Sequence, residues 1–164
     1  MVDVTRDYTG RQVDLECLQT IANPVDTVEM SLSATLGTSR RVTGIQKAIQ
    51  RYVTLLLTPS SSVPFAEESG NILLSALQAG NVSNMGYLRH LFNMANAVTL
   101  DIMRRDDYNI SQFGDQLDDE RVESVTLSGM TIDHSTSTLG LSLTFRTAAG
   151  SNYSYVLPVT ARHG

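Results

Sequence analysis

The spacing of apolar residues along the chain changes from a helical period to a strand period. Between residues 44 and 57, apolar residues recur at three- and four-residue steps, which places them on one face of a helix. This face is formed by Ile45, Ala48, Ile49, Tyr52, Val53 and Leu56. Two further leucines widen it, so the pattern predicts a helix that needs cover on more than one side. We expect the helix to start near Thr38 or Ser39 and to end before Pro59.

Two more helices are predicted before the period changes. One runs from about Glu67 to Ala79 and begins with acidic residues, which suit the positive end of a helix. The other runs from Ser83 or Asn84 to about Arg105. Their predicted apolar faces are Ile72, Leu73, Ala76 and Leu77 in the first, and Leu88, Leu91, Phe92, Ala95, Val98, Ile102 and Met103 in the second.

From Arg121 onward, apolar and polar residues alternate, which predicts strands. The first strand carries two apolar sets that are out of phase, and Gly129 marks a bulge between them. The other two strands alternate cleanly, with the apolar sets Leu139, Leu141, Leu143 and Phe145, then Tyr153, Tyr155, Leu157 and Val159. Pro158 cannot donate a ladder hydrogen bond, so we expect the last strand at a sheet edge or at a point where pairing ends.

This order of elements predicts an α+β fold, with a three-helix region followed by a C-terminal three-stranded antiparallel meander. Residues 1–38 are polar and acidic, and glycine and an Asn-Pro pair interrupt them. They read as an extended N-terminal arm with one short strand around Val28, Met30 and Leu32. We therefore predict an arm at 1–38 and an α+β domain at 39–164.

Charge and composition exclude several function classes. The chain of 164 residues has a formal net charge of -5 and one lysine, which argues against a basic nucleic-acid interface. No apolar run approaches the roughly 20 residues of a membrane helix, and no signal peptide is visible. The single cysteine, Cys17, excludes an intrachain disulfide. We expect no nucleic-acid partner and no membrane contact.

The chemistry-bearing residues do not form a recognisable catalytic set. His90, His134 and His163 lie far apart, so we expect no metal site and no cofactor. The acidic groups Glu67-Glu68 and Asp118-Asp119-Glu120 could in principle supply two carboxylates for glycoside hydrolysis. A helix start and a solvated connector explain them better, since tryptophan is absent and a catalytic acid needs an apolar pocket. We predict a protein that is not an enzyme.

The order of motifs resembles the baseplate wedge and sheath-initiator family of contractile injection machines, which was formerly labelled lysozyme-like. The aliphatic helix opens on glycine and reads G-I-x-x-x-I-x-x-x-V-x-x-L-x-T from Gly44 to Thr58. A leucine-bearing helix, a long helix and an acidic-arginine motif before a β-meander follow it. The family motif there is Glu-Pro-Arg followed by Ile or Val, and this chain has Asp119-Glu120-Arg121-Val122. The resemblance covers about residues 40–160.

The resemblance implies a structural role around a tail tube, in six copies per baseplate, within a virion assembled in the host cytoplasm. Its helices would join a bundle with larger wedge subunits, and its last strand would be extended by the first ring of sheath subunits. The implied partners are therefore wedge, sheath and tail tube or hub proteins. The wedge interface would use Ile45, Ile49, Tyr52, Val53, Leu56 and Arg121, and the sheath-binding strand would use Tyr153, Tyr155, Leu157 and Val159.

Two alternatives stay open at this stage. One is a peptidoglycan-hydrolysing muramidase with Glu67 or Glu120 as the acid, and the other is a regulatory binder of the anti-adapter kind on the same fold. The sequence also leaves open whether the wide face of the 44–57 helix meets foreign helices or the two helices that follow it.

Overall fold

The computed structural model describes most of the chain from residue 44 onward and four short strands before it. The described residues are 14–15, 18–20, 28–30, 41–42, 44–60, 62, 70–79, 84–111, 117–133 and 138–160. The four short strands and residue 160 are described by their backbone pairing, and the other ranges are described with their side chains. Glu67, Glu68, Cys17, His134 and His163 lie outside the described residues.

The strands before residue 44 form two small antiparallel pairs. β1 (Asp14–Leu15) pairs with β4 (Arg41–Val42), and β2 (Leu18–Thr20) pairs with β3 (Val28–Met30). The predicted strand around Val28 and Met30 is therefore present. The other three strands were missed, because runs of two or three residues are too short for alternation to be recognised.

Helices and a three-stranded sheet follow in the predicted order, and the α+β prediction is confirmed. The helices are α1 (Gly44–Leu57), α2 (Leu73–Gln78) and α3 (Met85–Ser111). The strands β5 (Val122–Asp133), β6 (Thr138–Thr147) and β7 (Asn152–Thr160) form an antiparallel sheet in that spatial order. β7 thus lies at the edge of its sheet, as Pro158 predicts.

The register of the sheet confirms the predicted phase change in β5. Leu127 pairs with Leu143 and Gly129 pairs with Ser142, so Ser128 is an extra residue on β5. The Ser128 hydroxyl donates to the Ser142 carbonyl at 3.0 Å and holds the bulge in place. The whole predicted apolar face of β6 is buried in the core, consisting of Leu139, Leu141, Leu143 and Phe145.

α1 begins at Gly44, and its predicted start at Thr38 or Ser39 is wrong. Arg41 and Val42 are held in strand pairing with β1, which is incompatible with a helix through those residues. Gly44 then turns the chain with a φ of 61°, a conformation that favours glycine. The helix ends at Leu57, as predicted from the Thr58-Pro59 step.

α2 is shorter than predicted and begins at Leu73, because Asn71 holds the preceding chain out of the helix. Asn71 forms a bridge with Pro59, and its side-chain amide donates to the carbonyls of Leu55 and Leu56 at 3.1 and 2.8 Å. Its Oδ1 accepts from the backbone N–H of Leu73 at 2.9 Å. One side chain therefore serves the end of α1 and the start of α2, and Ile72 is exposed, contrary to the prediction.

α3 starts where predicted and ends later. Asn84 Oδ1 accepts from the backbone N–H of Tyr87 at 2.7 Å and caps the helix. The helix continues past Arg105 to Ser111, because Arg51 of α1 binds its last turns through Asp106 and Asp107 at 2.8 and 2.6 Å. The prediction that Val98 belongs to the buried face is wrong, since its side chain is 43% exposed. The other six residues of that face are buried.

The helices and the sheet share one core around an aromatic contact. The rings of Tyr52 in α1 and Phe145 in β6 meet edge to face, with centroids 5.1 Å apart. The Tyr52 hydroxyl donates to Asn96 Oδ1 in α3 at 2.7 Å, and Asn96 Nδ2 donates to the Val125 carbonyl in β5 at 2.9 Å. A continuous chain of hydrogen bonds thus joins both long helices to the sheet.

Candidate functional site

The outer edge of β7 is the clearest place where this fold could take a partner strand. β7 is hydrogen-bonded to β6 on one side only, with a uniform register from Asn152 opposite Arg146 to Thr160 opposite Thr138. In the described part of the chain, no strand forms a ladder on its other side. An edge of this kind presents backbone donors and acceptors that another strand can use.

Pro158 fixes which residues of β7 present those groups. It lies opposite Gly140, and it has no N–H to donate to that partner. Residues of an antiparallel ladder alternate between facing their partner and facing away, so Pro158 must face away from β6. By the same alternation, Ser154 and Val156 direct both N–H and C=O to the outer edge. A partner strand therefore finds its donors at Ser154 and Val156, and none at Pro158.

The four predicted sheath-binding residues do not form one exposed face. Leu157 and Val159 are buried in the chain's own core, and Tyr155 is partly buried with its ring edge to face on Phe145. Tyr153 is 38% exposed. The alternation seen in the sequence is real, but it marks the side of β7 that packs on the core. Any contact of β7 with a partner must use its backbone edge and the residues near Tyr153.

β3 approaches β7 without pairing to it. Its Cα atoms approach those of β7 within 8 Å, and no ladder joins the two strands.

Three of the predicted wedge-interface residues are occupied within the chain itself. Tyr52, Val53 and Leu56 have no exposed surface, since α2, α3 and β6 cover this side of α1. Their assignment to an interface with another chain is therefore corrected: they build the core. Ile45 and Ile49 are partly buried and pack against the same core. The wide apolar stripe of α1 is explained chiefly by the chain's own helices and sheet.

Apolar surface that is exposed lies instead along α3. At 100° per residue, Tyr87, Met94, Val98 and Tyr108 fall on one narrow stripe of the helix. All four side chains are exposed, and Tyr108 most of all at 69%. The exposed ion pair between Asp101 and Arg105, at 3.4 Å, lies on the same stripe. This stripe borders the face of α3 that packs on the core.

Arg121 is exposed at the rim of an open groove of about 600 Å³ between the end of α3 and the start of β5. Its guanidinium pairs with Asp118 at 3.0 Å, and both side chains are more than half exposed. Pairs of this kind contribute little to stability. Arg121 is thus accessible from outside the chain, and its partner in this structure is Asp118 in the same turn.

Glu120 has a role that sequence reasoning missed. Its side chain is buried, and its Oε1 accepts a hydrogen bond from the backbone N–H of Gly44 at 3.0 Å. A carboxylate there caps the N-terminus of α1 and meets the positive end of the helix dipole. The residue is therefore not part of a solvated connector. No local signal could have revealed this contact, because 76 residues separate its two ends.

The charged side chains around the groove neutralise one another. Arg146 pairs with Glu123 at 3.1 Å, and Arg104 donates to the Glu123 carbonyl at 3.2 Å. On the α3 side of the groove, Arg51 forms an ion pair with the buried Asp107 at 2.6 Å. Basic and acidic groups alternate here, so the groove favours a partner surface of mixed charge over a polyanion.

The described residues offer no metal cluster, since nowhere among them do three His, Cys, Asp or Glu side chains converge. His90 is exposed on the surface of α3. Across the same residues, no helix combines the length and the apolarity needed to cross a bilayer. Comparisons with family models, curated proteins and solved structures found no match for the chain.

Proposed function

We propose that this chain is a structural subunit of a contractile-tail baseplate or a related injection machine, in which β7 templates a strand of the first sheath ring. The observation that carries the proposal is the outer edge of β7, where Ser154 and Val156 direct their backbone groups away from β6. A strand added there would continue the sheet from β5 through β7.

The exposed stripe on α3 supports the second half of this role, the packing into a wedge bundle. A foreign helix laid along Tyr87, Met94, Val98 and Tyr108 would cover apolar surface that the chain leaves exposed. The core uses Tyr52, Val53 and Leu56, so the proposed wedge contact moves from α1 to α3. Arg121, at the groove beside the end of α3, would pair with a carboxylate of the same partner.

The strand-templating role is tested with a variant that changes the edge and leaves the core intact. Val156→Pro removes an outward N–H and leaves the β6 ladder untouched, whereas Val156→Ala shortens the same side chain and keeps that N–H. We expect particles carrying Val156→Pro to contain the subunit in the baseplate but to lack sheath, and particles carrying Val156→Ala to have normal sheath. Normal sheathed tails with Val156→Pro would contradict the proposal. Truncation before Tyr153 is a poorer test, because it deletes the core residues Leu157 and Val159.

The bundle contact is tested separately. Met94→Glu together with Val98→Glu places two charges on the α3 stripe, and Asn93→Glu changes an exposed residue of the same helix outside it. We expect the double variant to fold, because both side chains are exposed, and to lose incorporation into the wedge. Unchanged co-purification with wedge subunits would show that the contact lies elsewhere.

A further inference from the structure

We infer that two copies of the free protein pair through the C-terminal half of α3, in an antiparallel arrangement centred on Met103. The inference goes beyond the proposed function and meets it at one point. The second copy covers part of the α3 stripe that a wedge helix would use, so it must leave before the subunit joins a bundle.

The first step is the spacing of residues along the stripe. From Met94 to Tyr108 its positions follow one another at steps of four, three, four and three residues, which is the spacing of a coiled-coil seam. The side chains on this seam are all exposed, and they are Met94, Val98, Asp101, Arg105 and Tyr108. The seam is therefore a line along which another helix can pack.

The second step is the symmetry of the seam about Met103. Asp101 and Arg105 lie two residues from it on opposite sides, and Val98 and Tyr108 lie five residues from it on opposite sides. In a pair with two-fold symmetry, a contact of one residue with another is repeated with the roles exchanged. Antiparallel helices centred at this height would therefore set Asp101 of each copy against Arg105 of the other. They would also set Val98 of each copy against Tyr108 of the other.

The third step is the comparison with other arrangements. Parallel pairing in register sets Asp101 against Asp101 and Arg105 against Arg105, which is repulsive. Sliding the antiparallel pair by one seam position towards the N-terminus sets Val98 against Asp101 and Met94 against Arg105, which covers charges with apolar groups. Sliding it the other way carries Val98 and Asp101 past the end of the other helix. The charges therefore select one orientation and one register.

The fourth step is the size of the contact. Residues 95–111 of the two copies overlap in this register, along roughly 25 Å of helix. Such a contact is small beside a stable interface of about 1,600 Å², so the pair is weak and reversible. Tyr87 and Met94 stay uncovered by the second copy. A wedge helix that covers the whole stripe would therefore displace it.

The experiment exchanges the charges on the seam and measures self-association of the full chain by sedimentation equilibrium. We expect the wild type to dimerise with a dissociation constant on the order of 100 µM, as befits a small interface. Asp101→Arg sets two arginines against each other at each charged contact, and Arg105→Asp sets two aspartates against each other. Each variant alone should associate at least about tenfold more weakly.

An equimolar mixture of Asp101→Arg and Arg105→Asp chains should recover association close to that of the wild type. In the mixed pair the introduced arginine faces the introduced aspartate, and the retained Arg105 faces the retained Asp101. Both variants lack the ion pair within α3 between these positions, and mixing cannot restore it. Recovery on mixing therefore reports a contact between chains. The double variant, with both substitutions in one chain, should also recover association.

Two tyrosines on the same stripe provide a matched test of the register. Tyr108→Ala removes an apolar contact to Val98 of the second copy and should weaken association several-fold. Tyr87→Ala removes an exposed tyrosine outside the overlap and should leave association as in the wild type. All of these side chains are exposed, so we expect every variant to fold, and circular dichroism checks it.

A wild type that stays monomeric up to about 1 mM would overturn the inference. So would single charge variants that associate like the wild type, a mixture that does not recover, or equal effects of Tyr87→Ala and Tyr108→Ala. None of these results would bear on the wedge contact, because incorporation of the Met94→Glu and Val98→Glu double variant decides that separately.

Discussion

The Oε1 atom of Glu120 accepts a hydrogen bond from the backbone N–H of Gly44 at 3.0 Å and joins the start of α1 to the turn that precedes the sheet. The same turn is tied by its backbone to the β6–β7 turn, since the N–H groups of Ala148 and Ala149 donate to the carbonyls of Arg121 and Asp118. Helix, turn and sheet therefore meet at one buried carboxylate. Within the Asp119-Glu120-Arg121-Val122 motif, Glu120 therefore stabilises the fold, and Arg121 stays exposed.

Glu120→Ala should lower the free energy of unfolding by about 1–2 kcal/mol, because it leaves the Gly44 N–H buried without its acceptor. Glu120→Gln keeps an oxygen acceptor in place and should cost less. Asp118→Ala is the control in the same turn and should change stability by less than about 0.5 kcal/mol, since its pair with Arg121 is exposed.

Urea unfolding followed by circular dichroism gives the three free energies. Equal losses for Glu120→Ala and Asp118→Ala would show that the cap does not hold α1 in solution.

Removal of a tyrosine hydroxyl should have opposite effects at two positions of the same aromatic cluster. Tyr52→Phe removes the donor to Asn96, which is part of the connection from α1 to β5, and should cost about 1 kcal/mol. The Tyr155 hydroxyl is buried and has no hydrogen-bond partner among the described residues. Tyr155→Phe should therefore be neutral or stabilising by up to about 1 kcal/mol.

Each substitution keeps its ring in contact with Phe145, so the two variants differ in the hydroxyl alone. Differential scanning calorimetry of both variants and the wild type decides the sign. Destabilisation by Tyr155→Phe as large as that by Tyr52→Phe would mean that the Tyr155 hydroxyl finds a partner in solution.

Alkaline pH should destabilise the fold through Tyr52. Burial raises the pKa of its phenol far above the ordinary value near 10. Above about pH 10 the unfolded chain loses this proton while the folded chain keeps it, so stability falls as pH rises, by roughly 1.4 kcal/mol per pH unit. Below about pH 10 both states hold the proton, and this contribution is fully present.

Unfolding free energies at pH 9 and pH 11 test this for the wild type and Tyr52→Phe, which lacks the titrating group. We expect the wild type to lose roughly 1 kcal/mol more than the variant over this interval. Parallel losses in both proteins would exclude Tyr52 as the source. The Tyr155 pKa is also raised by burial, and this contribution is common to both proteins.

The sequence was a good guide where one residue period ran without interruption. The alternation from Leu139 to Phe145 placed β6 with the correct buried face, and Pro158 placed β7 at the edge, since the period of two and the missing N–H are local properties. The predicted helix bounds were wrong where a contact distant in sequence overrides the local preference. Asn71 donates to the carbonyls of Leu55 and Leu56, which keeps the residues before Leu73 out of α2. Arg51 lengthens α3 by binding Asp106 and Asp107.

The candidate site was harder to predict, because an apolar stripe does not say which chain covers it. Tyr52, Val53 and Leu56 have the same periodicity whether α3 or a foreign helix packs on them, and the structure assigns them to the core. The exposed stripe on α3 was hidden, because Met94 and Val98 lie next to the buried face and merge with it in the sequence. The approach of β3 to β7 depends on contacts between segments more than a hundred residues apart.

Two glycines with similar backbone angles should respond very differently to alanine. Gly70 has a φ of 92°, and a Cβ built there would lie 2.5 Å from the Pro59 carbonyl oxygen and 2.7 Å from that of Thr58. Gly150 has a φ of 82°, in the turn between β6 and β7, and a Cβ there would meet no atom within 4 Å. Both substitutions cost the strain of a positive φ, roughly 1–2 kcal/mol. Only Gly70→Ala must also push apart the backbone bridge between Pro59 and Asn71, which adds about 1–3 kcal/mol.

The effect of alanine on the entropy of the unfolded chain is the same at both positions, so the difference between the variants isolates the close approach. Denaturant midpoints at an unchanged m-value provide the comparison. We expect Gly70→Ala to have a clearly lower midpoint than Gly150→Ala. Equal midpoints would mean that the segment before α2 moves away from Pro59 at little cost, and that Asn71 does not hold the ends of α1 and α2 together as tightly as its hydrogen bonds indicate.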